Sequence, residues 1–142
     1  MKRTPLAISF LILLGLVLSG CKSLGMITQS DPEKTLRTAL RSYEATLRWG
    51  YIGQAYNFLE PELQAKSKIP DNLDNIRVTH YNILQAPIMS GEGDERTAKQ
   101  VAVILYVFQD RQIEKKLVDR QQWRYIPDEK TWVRINHIPD FK

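Results

Sequence analysis

The stretch VDRQQWRYIPDEKTWVRI, Val118 to Ile135, decides how this chain folds. At its centre Pro127-Asp128-Glu129-Lys130 collects turn-forming residues between two segments rich in aromatic and β-branched side chains. A turn over 127–130 predicts a register in which Ile126 faces Thr131, Tyr125 faces Trp132 and Trp123 faces Arg134. Side chains two apart on a strand share a face, so Trp123, Tyr125, Trp132 and Arg134 are expected on one side of a sheet. Asp119 and Leu117 have the same parity if no bulge intervenes.

Reading back from this hairpin, Gln112 to Ile126 forms a long strand, preceded by a tight turn at Asp110-Arg111. Lys99 to Gln109, KQVAVILYVFQ, is dense in Val, Ile, Tyr and Phe, which suits a central strand covered on both faces. Ile76 to Gln85 is a further strand, and Ala86 to Arg96, APIMSGEGDER, is expected to be a connecting loop with two glycines. Loops of this kind carry binding contacts as often as they merely connect strands.

Before Ile76 the apolar period lengthens. Leu36, Leu40, Tyr43 and Leu47 recur at spacings of four, three and four, the mark of one helical face. Ser30-Asp31-Pro32-Glu33 starts this helix in one of two ways. Either Ser30 caps it with Glu33 completing a capping box, or Asp31 caps it with Pro32 at the first helical position. Gly50 ends it, a shorter helix carries Ile52, Ala55, Tyr56 and Leu59, and Pro61 leads into a loose segment from Lys66 to Asn75. Two helices followed by a four-stranded antiparallel meander give an α+β fold over residues 31–142, with the N-terminal helices on one face of a curved sheet.

The opening residues belong to a different problem. Lys2 and Arg3 precede an apolar run, Leu6 to Leu18, and no further charge occurs until Lys22. As a helix, thirteen residues rise only about 20 Å, short of a hydrocarbon core of roughly 30 Å. The positive, apolar, small-residue order is that of a signal peptide over residues 1–20. Leu18-Ser19-Gly20-Cys21 resembles the lipobox of bacterial lipoproteins, with the chain's one cysteine in the required place. The resemblance implies a diacylglyceryl thioether on Cys21, cleavage after Gly20 and acylation of the new amine. Two or more acyl chains hold a protein on a membrane where one does so only marginally. Lys22, where a retention signal would place aspartate, implies the outer membrane, with the domain facing the periplasm. Residues 22–30 would then be a tether of at most about 30 Å.

The folded part invites a second comparison. A long amphipathic helix, a short helix with Ala55, Tyr56 and Leu59, and long strands ending in the Val118–Ile135 hairpin resemble the nuclear transport factor two-like superfamily. That resemblance implies a cone-shaped α+β domain. It leaves function open, because enzymes, ligand carriers and assembly domains share such folds.

Composition narrows the classes. The net charge of +4 falls to +2 once residues 1–20, with two basic residues and no acidic ones, are removed. The cations alternate with acids, so the sequence gives no nucleic-acid footprint. It contains no Gly-x-Ser-x-Gly elbow, P-loop or dinucleotide fingerprint. His80 and His137 are far apart and lack a cysteine companion, so no metal site is expected. Asp71 and Asp74 lack the spacing of a calcium loop.

Three readings compete for the remaining residues. The leading one is a non-enzymatic interaction or assembly factor in the envelope with a protein partner, no nucleic-acid partner, and no cofactor beyond the lipid on Cys21. The second is a carrier or sensor of a small apolar ligand, held in a pocket lined by Tyr43, Tyr56, Tyr106, Trp123, Tyr125 and Trp132, with Arg134 at the rim. The third is an isomerase-like enzyme in which Asp119, set against aromatics, is a general base. Against this stands the commoner fate of such a carboxylate, pairing with Arg120, Arg41 or Arg48.

Overall fold

The computed structural model describes residues 31–142. The expected signal peptide, the expected lipobox residues Leu18, Ser19 and Gly20, Cys21 and the expected tether lie outside the described residues. Helix α1 (Pro32–Trp49) is followed by a 3-10 helix (Ile52–Phe58), a short helix α2 (Pro61–Lys66) and a 3-10 turn (Leu73–Asn75). Strands β1 (Ile76–Ser90), β2 (Thr97–Phe108), β3 (Glu114–Ile126) and β4 (Thr131–Arg134) then form one antiparallel sheet in sequence order. The α+β architecture follows, with helices against a four-stranded sheet.

Asp31 is the cap of α1: its Oδ1 accepts from the Glu33 amide at 3.0 Å, and Pro32 takes the first helical position. Leu36, Leu40, Tyr43 and Leu47 are the buried residues of this helix, as their spacing predicts. The indole of Trp132 fastens the first turn to β4, donating to the Pro32 carbonyl at 3.0 Å and the Thr35 hydroxyl at 3.2 Å.

The hairpin register is the one read from the turn: Trp123 opposite Arg134, Tyr125 opposite Trp132, Ile126 opposite Thr131. Three other expectations change. The segment 86–90, expected to be loop, continues β1 to Ser90, still paired with β2 from Ile88 onward despite Pro87. Register shifts between Val78 and His80, Ile83 and Gln85, and Gln85 and Ile88 absorb the irregularity, and these blur the alternation that a sequence reading needs. The segment expected to be loose from Lys66 to Asn75 is so over 67–72, and a 3-10 turn at Leu73–Asn75 orders its end. Finally, β2 is central but covered on one face. Ala98, Gln100, Ala102, Ile104, Tyr106 and Phe108 are buried, while Val101, Val103, Leu105 and Val107 are half-buried because the helices occupy only the other side.

The sheet edges are unequal. Along β4, Leu59 forms a bridge to Arg134 and the Glu60 amide donates to the Arg134 carbonyl at 2.9 Å. Glu60 also pairs with Arg124 on β3. Along β1, by contrast, every residue from Asn82 to Ser90 is exposed.

Candidate functional site

A polar chain runs through the interior at the meeting of α1, β1, β2, β3 and β4. Asp119 and Arg134 are 0% and 1% exposed and form a two-pronged ion pair, Nη2 to Oδ1 at 2.7 Å and Nη1 to Oδ2 at 3.1 Å. The remaining arginine donors are also used. Nη1 donates to the Tyr43 hydroxyl at 2.7 Å, Nη2 to the His137 carbonyl at 2.8 Å and Nε to the Asn136 carbonyl at 3.1 Å. A guanidinium has five N–H groups, so Arg134 has none to spare. The carboxylate is equally occupied: Oδ2 also accepts from the Tyr43 hydroxyl and from Gln121 Nε2, each at 3.0 Å.

Gln121 extends the chain, donating to the Tyr81 hydroxyl at 2.6 Å and accepting from the Trp123 indole at 3.2 Å. Gln100 closes it through two long contacts of 3.5 Å to Tyr81 and Gln121, and its Oε1 has no partner. The strand pattern explains the arrangement. Gln100, Asp119, Gln121 and Trp123 all fall on inward-facing positions, and Gln100 pairs directly with Gln121 in the β2–β3 register. The low dielectric strengthens such a network when it is complete and penalises it when it is not.

The electrostatics follow from burial. Burial opposes the charge of Arg134, but Tyr43 and Asp119 outweigh it and raise its pKa, so it stays a cation. Burial lifts Tyr43 well above the ordinary tyrosine value, partly offset by Arg134. Tyr81 is pushed up to about 12, again chiefly by burial.

The residues expected to line one pocket are thus divided. Tyr43, Asp119, Trp123 and Arg134 come together, with Tyr43, Trp123 and Phe58 in edge-to-face contact at centroid distances of 5.5 to 6.2 Å. Tyr125 and Trp132 stack on each other at 5.3 Å beneath the start of α1. Tyr106 sits elsewhere, against Phe108 and Phe141, its hydroxyl bound to the Lys142 backbone. Tyr56 lines an outer cleft. Arg134, expected at the rim, lies in the interior, because Asp119 and two backbone carbonyls draw it inward. Neither Arg120 nor the helix arginines Arg41 and Arg48 take the Asp119 carboxylate.

Sequence reasoning missed Gln100, Gln121 and Tyr81. Inward parity relative to Trp123 was the available signal for the two glutamines. Tyr81 lay beyond reach because a bulge precedes it. His80 is exposed on β1, opposite Leu105. Among the described residues, no group of three or more His, Cys, Asp or Glu side chains could hold a metal ion. Comparisons with protein-family models, with curated proteins and with solved structures find no match.

Proposed function

We propose that the chain is an envelope lipoprotein, anchored through Cys21 at the periplasmic face of the outer membrane, that works without catalysis as an interaction or assembly factor. The observation that carries the interaction reading is the distal half of β1. Ile83, Leu84 and Ile88 are 55%, 70% and 58% exposed on an edge strand, beside Met89. An edge strand offers unpaired backbone donors and acceptors, and protecting devices or a partner normally cover it. Pro87 and the bulges limit indiscriminate pairing, yet the apolar side chains stay at the surface.

The interior supports the same choice. Both oxygens of Asp119 are engaged by Arg134, Tyr43 and Gln121, so the carboxylate is committed to interior partners and the case for an isomerase-like step is weakened. Tyr43 and Trp123 pack against each other and Phe58 rather than around a ligand-sized space, which weakens the case for an apolar-ligand carrier. Membrane attachment makes a modest affinity sufficient, because partners then meet at a raised effective concentration.

A photo-crosslinking residue placed at Leu84 in the native envelope should give one discrete protein-sized adduct. The same residue at Thr38, exposed on α1, should give none. Adducts at neither Leu84 nor Ile88 would sink the interaction reading. The anchor is tested separately: Cys21→Ser should leave an unprocessed precursor, and normal maturation with membrane retention would refute it.

A further inference from the structure

A cleft of about 600 Å³ opens where the segment 136–140 passes β3 and the end of α2. Its lining is unusually cationic. Lys66 and Lys68, at the end of α2, and Arg120 on β3 meet on it from two stretches of backbone, and none of the three forms an ion pair among the described residues. The acids there are already committed. Asp119 is matched by Arg134 in the floor, and Asp140 pairs with Lys142 at 3.1 Å.

Tyr56 adds a hydrogen-bonding group to the lining. The residue is only 8% exposed and lines the cleft. Burial, and then the charge of Asp140, raise its pKa, which keeps it a neutral donor. A phenolic hydroxyl at such a wall can donate to a ligand oxygen.

The cleft is also held in shape. Arg134 binds the carbonyls of Asn136 and His137, and the Asn136 side chain continues the sheet, donating to the Arg120 carbonyl at 2.6 Å. Ile138 is buried behind it. Preformed walls reduce the ordering cost of binding.

We infer that this cleft binds the phosphate group of a small organic ligand or lipid headgroup, with Lys66, Lys68 and Arg120 supplying charge and Tyr56 a hydrogen bond. Lysines act as point charges towards phosphate, and an arginine adds a planar fork. Arg134, with every donor engaged, is not a ligand contact but fixes the wall. The inference is independent of the partner proposed for β1.

The test uses the full chain in phosphatidylcholine nanodiscs and reads the amide resonances of Lys66, Lys68, Arg120 and His137. In one arm glycerol 3-phosphate is titrated to about 10 mM, a range suited to the weak affinity of a few polar contacts. In the other, phosphatidylglycerol replaces part of the disc lipid. Saturable shifts in the first arm identify a soluble phosphate ligand, and shifts confined to the second identify a headgroup. Either outcome supports the site only if Lys68→Gln/Arg120→Gln weakens it by about tenfold or more and Tyr56→Phe by several-fold, the loss expected of charge-assisted and neutral hydrogen bonds. Lys34→Gln, on the exposed part of α1, should change nothing, and circular dichroism should show each variant folded. Asp140→Asn should tighten binding by a small factor, since it removes the nearest opposing charge. No saturable shift in either arm, or shifts untouched by the cleft variants, overturns the proposal.

Discussion

Replacing Arg134 by methionine should be among the most damaging single changes available to this domain. The variant leaves Asp119 buried with its cationic partner gone and strips donors from the Asn136 and His137 carbonyls. Breaking a buried pair from one side costs about 3–5 kcal/mol, because the surviving charge stays desolvated. Tyr43 and Gln121 still donate to Asp119, which argues for the lower half of that range. The two carbonyls flank the surface and can turn to water, so they add little. A loss of about 3.5 kcal/mol consumes much of the roughly 5–15 kcal/mol by which domains are stable. With a urea slope of about 1.5 kcal/mol per molar, the midpoint falls by about 2.3 M. Trp123, wholly buried and bound to Gln121, is a fluorescent reporter for the titration. The decisive comparison is with Asp119→Asn/Arg134→Met, which removes both charges. It should be more stable than Arg134→Met alone by about 2 kcal/mol, since a neutral amide costs far less to bury than an orphaned carboxylate. A loss below about 1 kcal/mol in the single variant, or no recovery in the double, would refute the account of a charge-compensated interior.

Two further expectations concern pH and backbone. Tyr81 has a raised folded-state pKa, so its contribution is fully present below the unfolded value of 10.0 and is lost as pH climbs towards about 12. Stability should drop by roughly 2–3 kcal/mol over that window, and Tyr81→Phe should flatten this part of the curve, leaving the part due to Tyr43; an unchanged alkaline profile would count against it. Gly91 has φ +76°, and a Cβ there would lie 2.4 Å from the Glu95 carbonyl oxygen, so Gly91→Ala should cost about 2 kcal/mol in the same urea assay, with a cost under 0.5 kcal/mol, roughly that of an ordinary surface change, refuting the strain argument.

The parts of this fold that were legible are those where a local rule acts alone. The Asp31-Pro32 start, the four-residue apolar stripe of α1 and the register across 127–130 depend on neighbours in sequence. The strand-like character of 86–90 was hidden by Pro87 and the adjacent bulges, because its pairing with β2 overrides local preference. Asp119 was correctly placed on the aromatic face, but its partner was sought on the nearest arginines. The register around Trp123 and Arg134 already put both charges on one face, and the length of an arginine side chain spans the offset that β4 is too short to cover. The cleft cations were unreadable as a group, since the pair Lys66 and Lys68 meets Arg120, more than 50 positions on, only in the folded chain.

The bonds that hold α1 in place also set an order in time. Tyr43 is tied to Asp119 across 76 positions and to Arg134 across 91, while Trp132 reaches Pro32 across 100. The chain therefore makes its apolar helix first and the surface that buries it last. At about 5–20 residues per second, Leu47 waits on the order of 4–18 s for the β4 residues to be synthesised. Until then Leu36, Leu40, Tyr43 and Leu47 lack part of their native surroundings, although Phe58 is already available to Tyr43. Long-range contacts of this kind make folding slow. The same delay makes the nascent helix a natural handle for a chaperone, engaged through the very stripe that later becomes the interior.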